Sequence, residues 1–158
     1  MVGSGDNPPG LGGLAHFLEH MLFLGTDKYP EAAEYAQFIA EHGGSHNAYT
    51  SFEHTNYFFE INAAYLPEAL DRFAQFFIAP KFDEQYVDRE KNAVQAEYQM
   101  GLKSDGRRGL DVLQEVMNQD HPYSQFSVGS LDSLADRPGV PIRDELILFY
   151  EKHYSANV

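Results

Sequence analysis

The segment "LAHFLEHMLFL", residues 14–24, most strongly constrains the fold, because it places three polar side chains inside an otherwise apolar run. Its leucines, phenylalanines and methionine recur at the spacings typical of an α-helix. A helix this apolar must be largely covered by other elements, and buried polar groups without partners cost free energy. The segment therefore predicts a buried helix whose histidines and glutamate need partners, and a metal ion is one such partner.

The order of these polar residues, H-x-x-E-H, inverts the H-E-x-x-H motif of zinc peptidases. His16 and His20 are four residues apart, so both project from one face of a helix and can reach one zinc ion at about 2.0–2.1 Å. Glu19 lies on the flank of that face, where it could take a proton from zinc-bound water. The alternative interpretation is a surface helix that happens to carry two histidines. The apolar flanks favour the metal site.

A catalytic zinc usually has three protein ligands and one open position, so a third ligand must come from elsewhere. The predicted helix "DEQYVDREKNAVQAEYQM" carries Glu90 and Glu97 about two turns apart on its inner stripe. Glu97 could be the third ligand, and Glu90 could hydrogen-bond a ligand histidine. Alternatively, both form solvated ion pairs with residues such as Arg89 and Lys91. Periodicity alone leaves the two interpretations open.

The rest of the chain alternates helical patterns with one hairpin. Residues 45–51 and 55–62 are short strand candidates separated by a few residues, which favours an antiparallel hairpin. A helix beginning at Pro30 is expected to place Ala32, Ala36, Ile39 and Ala40 on one face. A later helix over residues 106–118 is expected to turn Leu110, Leu113, Val116 and Met117 inward. Further helices are predicted over about 66–79, 83–103 and 143–153. The predicted fold class is α+β, with helices packed on a small antiparallel sheet.

Charge and composition exclude several classes of protein. The formal net charge is −13, so nucleic acid is a poor partner, because binding it requires lysine and arginine to neutralise phosphates. The chain has no cysteine, which excludes disulfides and thiolate zinc sites. No apolar run approaches the roughly 20 residues that span a bilayer, so no membrane span is expected.

Five segments together resemble the pitrilysin/insulin-degrading-enzyme family of zinc peptidases. They are "HFLEHMLFLGT", "EYAQFIAEHGGSHNAYTSFEHTNYFFEI", "ALDRFAQFFIAPKFDE", "DREKNAVQAEY" and "HPYSQFSVGSLDSL" with the terminal "RDELILFYEKHYSAN". The resemblance covers essentially the whole chain and implies the fold of the first domain of such peptidases, truncated at both ends. It implies that residues 1–158 are a single partial N-terminal catalytic domain of a longer, multi-domain peptidase.

The resemblance assigns roles to individual residues. His16, His20 and Glu97 match the zinc ligands, which implies one Zn²⁺ per chain. Glu19 matches the catalytic base. Glu90 matches a glutamate that supports the site without binding the zinc.

The resemblance also gives a role to "GGSHNAYT", which by pattern alone is an ordinary hairpin strand. In the family this segment is an edge strand to which the substrate peptide adds as a further strand. Asn47 and Ala48 match the positions that face the substrate. Phe23, one turn beyond the zinc motif, is expected either to wall a side-chain pocket or to belong to the core.

The implied function is zinc-dependent endopeptidase activity, with peptide substrates and the remainder of a longer chain as partners. The segment alone is expected to be weakly active or inactive. Two alternatives are a non-catalytic family member that binds peptides or serves a structural role, and a metal hydrolase acting on other substrates. By family analogy the compartment is expected to be periplasmic, with the cytoplasm as the alternative.

Overall fold

Six α-helices and one two-stranded antiparallel hairpin make up the part of the chain that the computed structural model describes, residues 1–155. In chain order the elements are α1 Leu14–Leu22, α2 Glu34–Glu41, β1 Ser45–Thr50, β2 Thr55–Glu60, α3 Leu66–Gln75, α4 Glu84–Gly101, α5 Asp105–Val116 and α6 Ile142–His153. The architecture is the predicted α+β arrangement. None of these helices combines the length and the apolar character that crossing a bilayer requires.

Helix α1 lies at the centre of the core and contacts α4, β1 and α6. Its apolar side chains are almost completely buried, as the sequence predicts, and Phe17 and Leu18 have no exposed surface. The helix begins after Gly13, and the Asn7 side chain accepts a hydrogen bond of 2.8 Å from the Ala15 N–H in its first turn. This cap satisfies one of the N–H groups that a helix leaves unpaired at its start.

The hairpin places one face of β1 against α1. Its register pairs Ser45 with Glu60 and Thr50 with Thr55. Because side chains alternate between the two faces of a strand, Tyr57 and Phe59 both pack on the core from one face of β2, as predicted. The corresponding face of β1 lies beside the polar residues of α1.

Helix α4 packs against α1 through a stripe with helical spacing. Asp83 caps its start by accepting a hydrogen bond of 3.2 Å from the Gln85 N–H. Val87 and Val94 are buried along the stripe. Glu90 and Glu97 each follow a buried valine by three residues, so the packing turns both carboxylates toward α1.

Two expectations about buried faces are wrong in part. Helix α2 begins at Glu34, because residues 26–30 form a turn in which the Thr26 N–H donates to the Tyr29 carbonyl. It buries Ile39, as predicted, together with Tyr35, whereas Ala36 and Ala40 are exposed, since the larger side chains remove more apolar surface from water. In α5, Leu113 and Val116 are 51% and 76% exposed, while the side chain of Gln114 is buried and donates to two loop carbonyls.

The loop before α6 is held tightly against the start of α1. A Cβ atom at Gly13 would lie 2.2 Å from Gly129 Cα, and Gly13 has a φ of +92°. The Ser133 hydroxyl donates a hydrogen bond of 2.7 Å to the Gly12 carbonyl. The close contact between the two glycines therefore brings the backbone around Val128 to the first turn of α1.

Replacing Gly13 should test this contact. Gly13→Ala is expected to lower the free energy of unfolding of the chain by more than about 3 kcal/mol, because it adds a backbone clash to an unfavourable backbone conformation. The control is Gly43→Ala, at a glycine with a φ of +72° and open space around its Cβ position. It should cost only about 1–2 kcal/mol. Equal losses in urea denaturation would show that the loop is not held by this contact.

Candidate metal centre

Two histidine nitrogens and one carboxylate converge where α1 meets α4. His16 Nε2 and His20 Nε2 are 3.3 Å apart. Glu97 approaches both, with Oε2 at 3.4 Å from His16 Nε2 and Oε1 at 3.5 Å from His20 Nε2. One ligand atom from each of the three residues lies within 4.8 Å of the other two. The structure thus brings together the three side chains that the sequence predicted as metal ligands.

The spacing and chemistry of these atoms fit a zinc ion. With metal–ligand bonds of about 2.0–2.1 Å, tetrahedral coordination separates two ligand atoms by about 3.4 Å. The two imidazole nitrogens are 3.3 Å apart, close to this value, and each lies 3.4–3.5 Å from a different oxygen of Glu97. Two imidazole nitrogens and one carboxylate are also a common ligand set of catalytic zinc, and three protein ligands leave a fourth position open.

Hydrogen bonds at the other nitrogen of each imidazole orient the two rings. The contact between His16 Nδ1 and the Val128 carbonyl is 2.6 Å, and that between His20 Nδ1 and Glu90 Oε2 is 3.4 Å. A carbonyl or ionised carboxylate can only accept, so in each ring Nδ1 carries a hydrogen, and in the neutral imidazole Nε2 keeps its lone pair. In that form both lone pairs are available for a metal. A hydrogen bond at the second ring nitrogen is typical of metal-bound histidines.

The carboxyl groups of Glu90 and Glu97 both have a lowered pKa. The hydrogen bond with His16 lowers the pKa of the Glu97 carboxyl and outweighs the opposing effect of burial. Burial raises the pKa of Glu90, but hydrogen bonds from His20 and Arg89 outweigh it, and the pKa lies below its ordinary value. Glu90 makes both of the contacts considered for it: Oε1 accepts from Arg89 Nε at 2.9 Å, and Oε2 faces His20.

Protonation competes with metal binding at His16. Burial lowers the pKa of this imidazole, but the Glu97 carboxylate and the Val128 carbonyl outweigh burial, and the pKa is raised. Without a metal, a proton on Nε2 satisfies the nearby carboxylate. A metal ion at the same place displaces that proton.

Glu19 lies next to the three candidate ligands but is not one of them. Its side chain is 7% exposed, and its Oε2 accepts a hydrogen bond of 2.5 Å from the Thr50 hydroxyl. Its other oxygen, Oε1, has no hydrogen-bond partner within residues 1–155. This arrangement leaves Oε1 of Glu19 available beside His16, His20 and Glu97, which together form the candidate ligand cluster.

An open cavity of about 610 Å³ lies over the ligand cluster. Helices α1 and α4, strand β1 and the loop at Val128 supply its walls, and Arg107 of α5 also lines it. Phe23 fulfils both roles considered for it, because it lines the cavity and also packs against Tyr35 and Phe76.

Asn47 and Ala48 lie in the β1 wall of this cavity. Just beyond β1, the Ser51 N–H donates to the His54 carbonyl across the hairpin. In an antiparallel pair, hydrogen-bonded and non-hydrogen-bonded positions alternate, so the backbone groups of Ala48 point away from β2. The Ala48 N–H is held by Asn47 Oδ1 at 2.9 Å, and its carbonyl lies on the outer edge.

Two residues of the site were not predicted from the sequence. Val128 acts through its carbonyl, and any residue type offers one, so the sequence carries no signal for it. Thr50 lies in the predicted strand, two residues after Ala48 and therefore on the same face. This alternation points to Thr50 as a neighbour of Glu19 once β1 is known to lie beside α1.

Comparison with protein families and curated proteins agrees with the resemblance noted above. The family model described as "Insulinase (Peptidase family M16)" matches residues 1–129. The chain is 54% identical to "Insulin-degrading enzyme-like 1, peroxisomal" of Arabidopsis thaliana and 48% identical to the insulin-degrading enzyme of Homo sapiens. Each alignment covers 99% of this chain but 16% of the relative, so the chain spans about one sixth of the length of these proteins.

Solved structures show the same relationship. The crystal structure of pitrilysin matches with a TM-score of 0.94 and 46% identity, over 99% of this chain and 17% of that one. A protease from Helicobacter pylori matches with a TM-score of 0.83 and 27% identity, over 98% of this chain and 36% of that one. These matches confirm the predicted fold and the predicted resemblance, and the chain belongs to the insulinase family, peptidase family M16.

Proposed function

We propose that this chain is the zinc-binding catalytic segment of a metalloendopeptidase. The observation that carries the proposal is the convergence of two oriented imidazoles and one carboxylate, with Glu19 beside them, at the base of an open cavity. Membership of a peptidase family supports the reaction type. A relative named "Putative zinc protease mug138", from Schizosaccharomyces pombe, is 46% identical and supports the choice of metal.

His16, His20 and Glu97 would hold one Zn²⁺ ion, and Glu90 would fix the orientation of His20. A zinc ion supplies Lewis acidity, which makes a coordinated water more acidic and polarises a peptide carbonyl. The free oxygen of Glu19 would accept a proton from the attacking water and pass it to the leaving amine, as a general base and then a general acid. Thus the chain contributes both the ligands and the group that moves the proton.

The substrate is proposed to be an extended peptide that adds to the free edge of β1. Within residues 1–155, β1 pairs only with β2, and its other edge borders the cavity. Backbone groups on that edge can bind a peptide of any sequence, because every peptide carries the complementary N–H and carbonyl groups. Asn47 and Ala48 would lie alongside the bound peptide. This edge favours a peptide over other hydrolase substrates.

Residues 1–158 are proposed to be a partial N-terminal catalytic domain that acts together with the rest of a longer protein. The relatives named above are about six times longer than the aligned segment, which supports this division. The segment alone is therefore expected to cleave peptides weakly or not at all. The compartment remains a prediction: the periplasm by analogy, although one relative is named as peroxisomal.

A non-catalytic, peptide-binding or structural role is the competing proposal. Such a role requires neither the metal ligands nor the base. All of these residues are present here, and their side chains are oriented together, which favours catalysis.

Substitution of the base should separate chemistry from metal binding. In the full-length protein that carries this chain, Glu19→Gln is expected to lower kcat by about 10²–10⁴-fold, since amide nitrogen cannot accept the proton. The zinc content should be unchanged. The matched control is Glu53→Gln, at an exposed glutamate in the hairpin turn, which should keep full activity on a fluorogenic peptide. Normal cleavage by Glu19→Gln would remove Glu19 from the role of base.

Substitutions on α4 should show how much each of its two carboxylates contributes to zinc binding. Glu97→Gln is expected to abolish zinc retention after dialysis, because a ligand is lost. Glu90→Gln should weaken zinc binding by about 10–100-fold, because His20 loses its orienting partner. Glu84→Gln, at an exposed position of the same helix, is the control. Elemental analysis of the purified chain measures all three, and tight zinc binding by Glu97→Gln would refute the third-ligand assignment.

A further inference from the structure

The orientation of the Glu19 carboxylate requires an explanation that packing alone does not provide. Its side chain is nearly buried beside the ligand cluster. The last torsion of a glutamate is broad, so surrounding apolar atoms do not determine where its two oxygens point. A general base must hold one oxygen toward the reacting water, because a displacement of about 1 Å can cost about 100-fold in rate.

Thr50 supplies the missing constraint. Its hydroxyl donates to Glu19 Oε2 at 2.5 Å, and this is the one hydrogen bond of the Glu19 side chain within residues 1–155. A hydrogen bond to an ionised carboxylate is short and strong compared with a neutral one. Because Oε2 is held, the planar carboxyl group can no longer rotate, and Oε1 keeps a single direction.

The threonine is itself held in place. Its β-branched side chain has few rotamers, and it is the last residue of β1, where it pairs with Thr55. The Thr55 hydroxyl lies 3.4 Å from the Thr50 hydroxyl and 3.2 Å from the Val2 carbonyl. The Thr55 hydroxyl has one hydrogen, and the nearer of its two acceptors, the Val2 carbonyl, can only accept. Thr55 is therefore anchored to the backbone of Val2 beside the Thr50 hydroxyl, whose own hydrogen is directed at Glu19.

The backbone around this pair is also fixed. The Ser4 N–H donates to the Ser51 carbonyl at 2.8 Å, and the Gly5 N–H donates to the Phe52 carbonyl at 2.8 Å. A Cβ atom at Gly3 would lie 2.5 Å from the carbonyl oxygens of both Ser51 and Phe52, so the first residues of the chain pack closely on the end of β1. The backbone next to Thr50 is thus held in place by hydrogen bonds and close packing.

We infer that Thr50 is a positioning residue for catalysis, which holds Glu19 Oε2 so that Oε1 faces the reacting water. The inference rests on the proposed peptidase function of the site. It assigns to the hairpin a second task besides that of binding the peptide: the strand proposed to align the substrate also aligns the base.

The test replaces Thr50 in the full-length protein that carries this chain. Thr50→Val keeps the shape of the side chain and removes the hydroxyl. It is expected to lower kcat by about 10–100-fold, with KM for a fluorogenic peptide and zinc content both unchanged. Thr50→Ser, which restores the hydroxyl, should remain within about threefold of the wild type. Thr50→Ala provides a second hydroxyl-free variant and should match Thr50→Val.

The outcomes separate this inference from the proposed function. If the wild type is active and Glu19→Gln is inactive, but Thr50→Val and Thr50→Ala keep the wild-type kcat, the positioning role is wrong and the proposed function stands. Loss of zinc, or an equal fall of kcat in Thr50→Ser, would also overturn it, because the hydroxyl would then not be the cause. If the wild type lacks zinc-dependent cleavage, the proposed function itself fails.

Discussion

The packing of α4 against α1 is the contact on which the candidate site depends. The apolar faces of the two helices bury Val94 against the centre of the core, and this contact sets the distance between His16, His20 and Glu97. The polar cluster exists because an apolar interface brings it together. Three acceptor atoms at van der Waals distances are unfavourable without a proton or a cation between them, so the packing that orders the core also creates a place that a proton or a cation can fill.

Around this contact, other parts of the chain provide a hydrogen-bond partner for His16, His20 and Glu19. The Val128 carbonyl and Glu90 orient the two imidazoles, and Thr50 holds the carboxylate of Glu19. These partners come from a loop, a helix and a strand that are distant in sequence. Their side chains or backbones are in turn anchored, by the contact of Gly13 with Gly129 and by the pairing of Thr50 with Thr55. Metal site, proposed base and strand edge therefore form one connected unit.

Much of this arrangement could be predicted from the sequence, in part from local periodicity and in part from the family resemblance. The i, i+4 histidines on an apolar helix and the two glutamates on a helical stripe are visible as spacing, and the structure brings them together. Periodicity is less reliable where competing residues occupy the same helix. In α2 the predicted face buries Ile39, but Tyr35 is buried beside it and Ala36 and Ala40 are exposed, because burial of more apolar area stabilises the fold more. The Val128 carbonyl was beyond prediction, since it depends on tertiary contact across the chain.

The central claim is that one zinc ion is bound by His16 Nε2, His20 Nε2 and a carboxylate oxygen of Glu97. Anomalous diffraction at the zinc edge, on crystals of the zinc-loaded protein, measures this most directly. The account predicts a single strong peak about 2.0–2.1 Å from these three atoms, with both Nδ1 contacts retained. A peak at another group of side chains, or no peak between these three residues at full zinc loading, would contradict it.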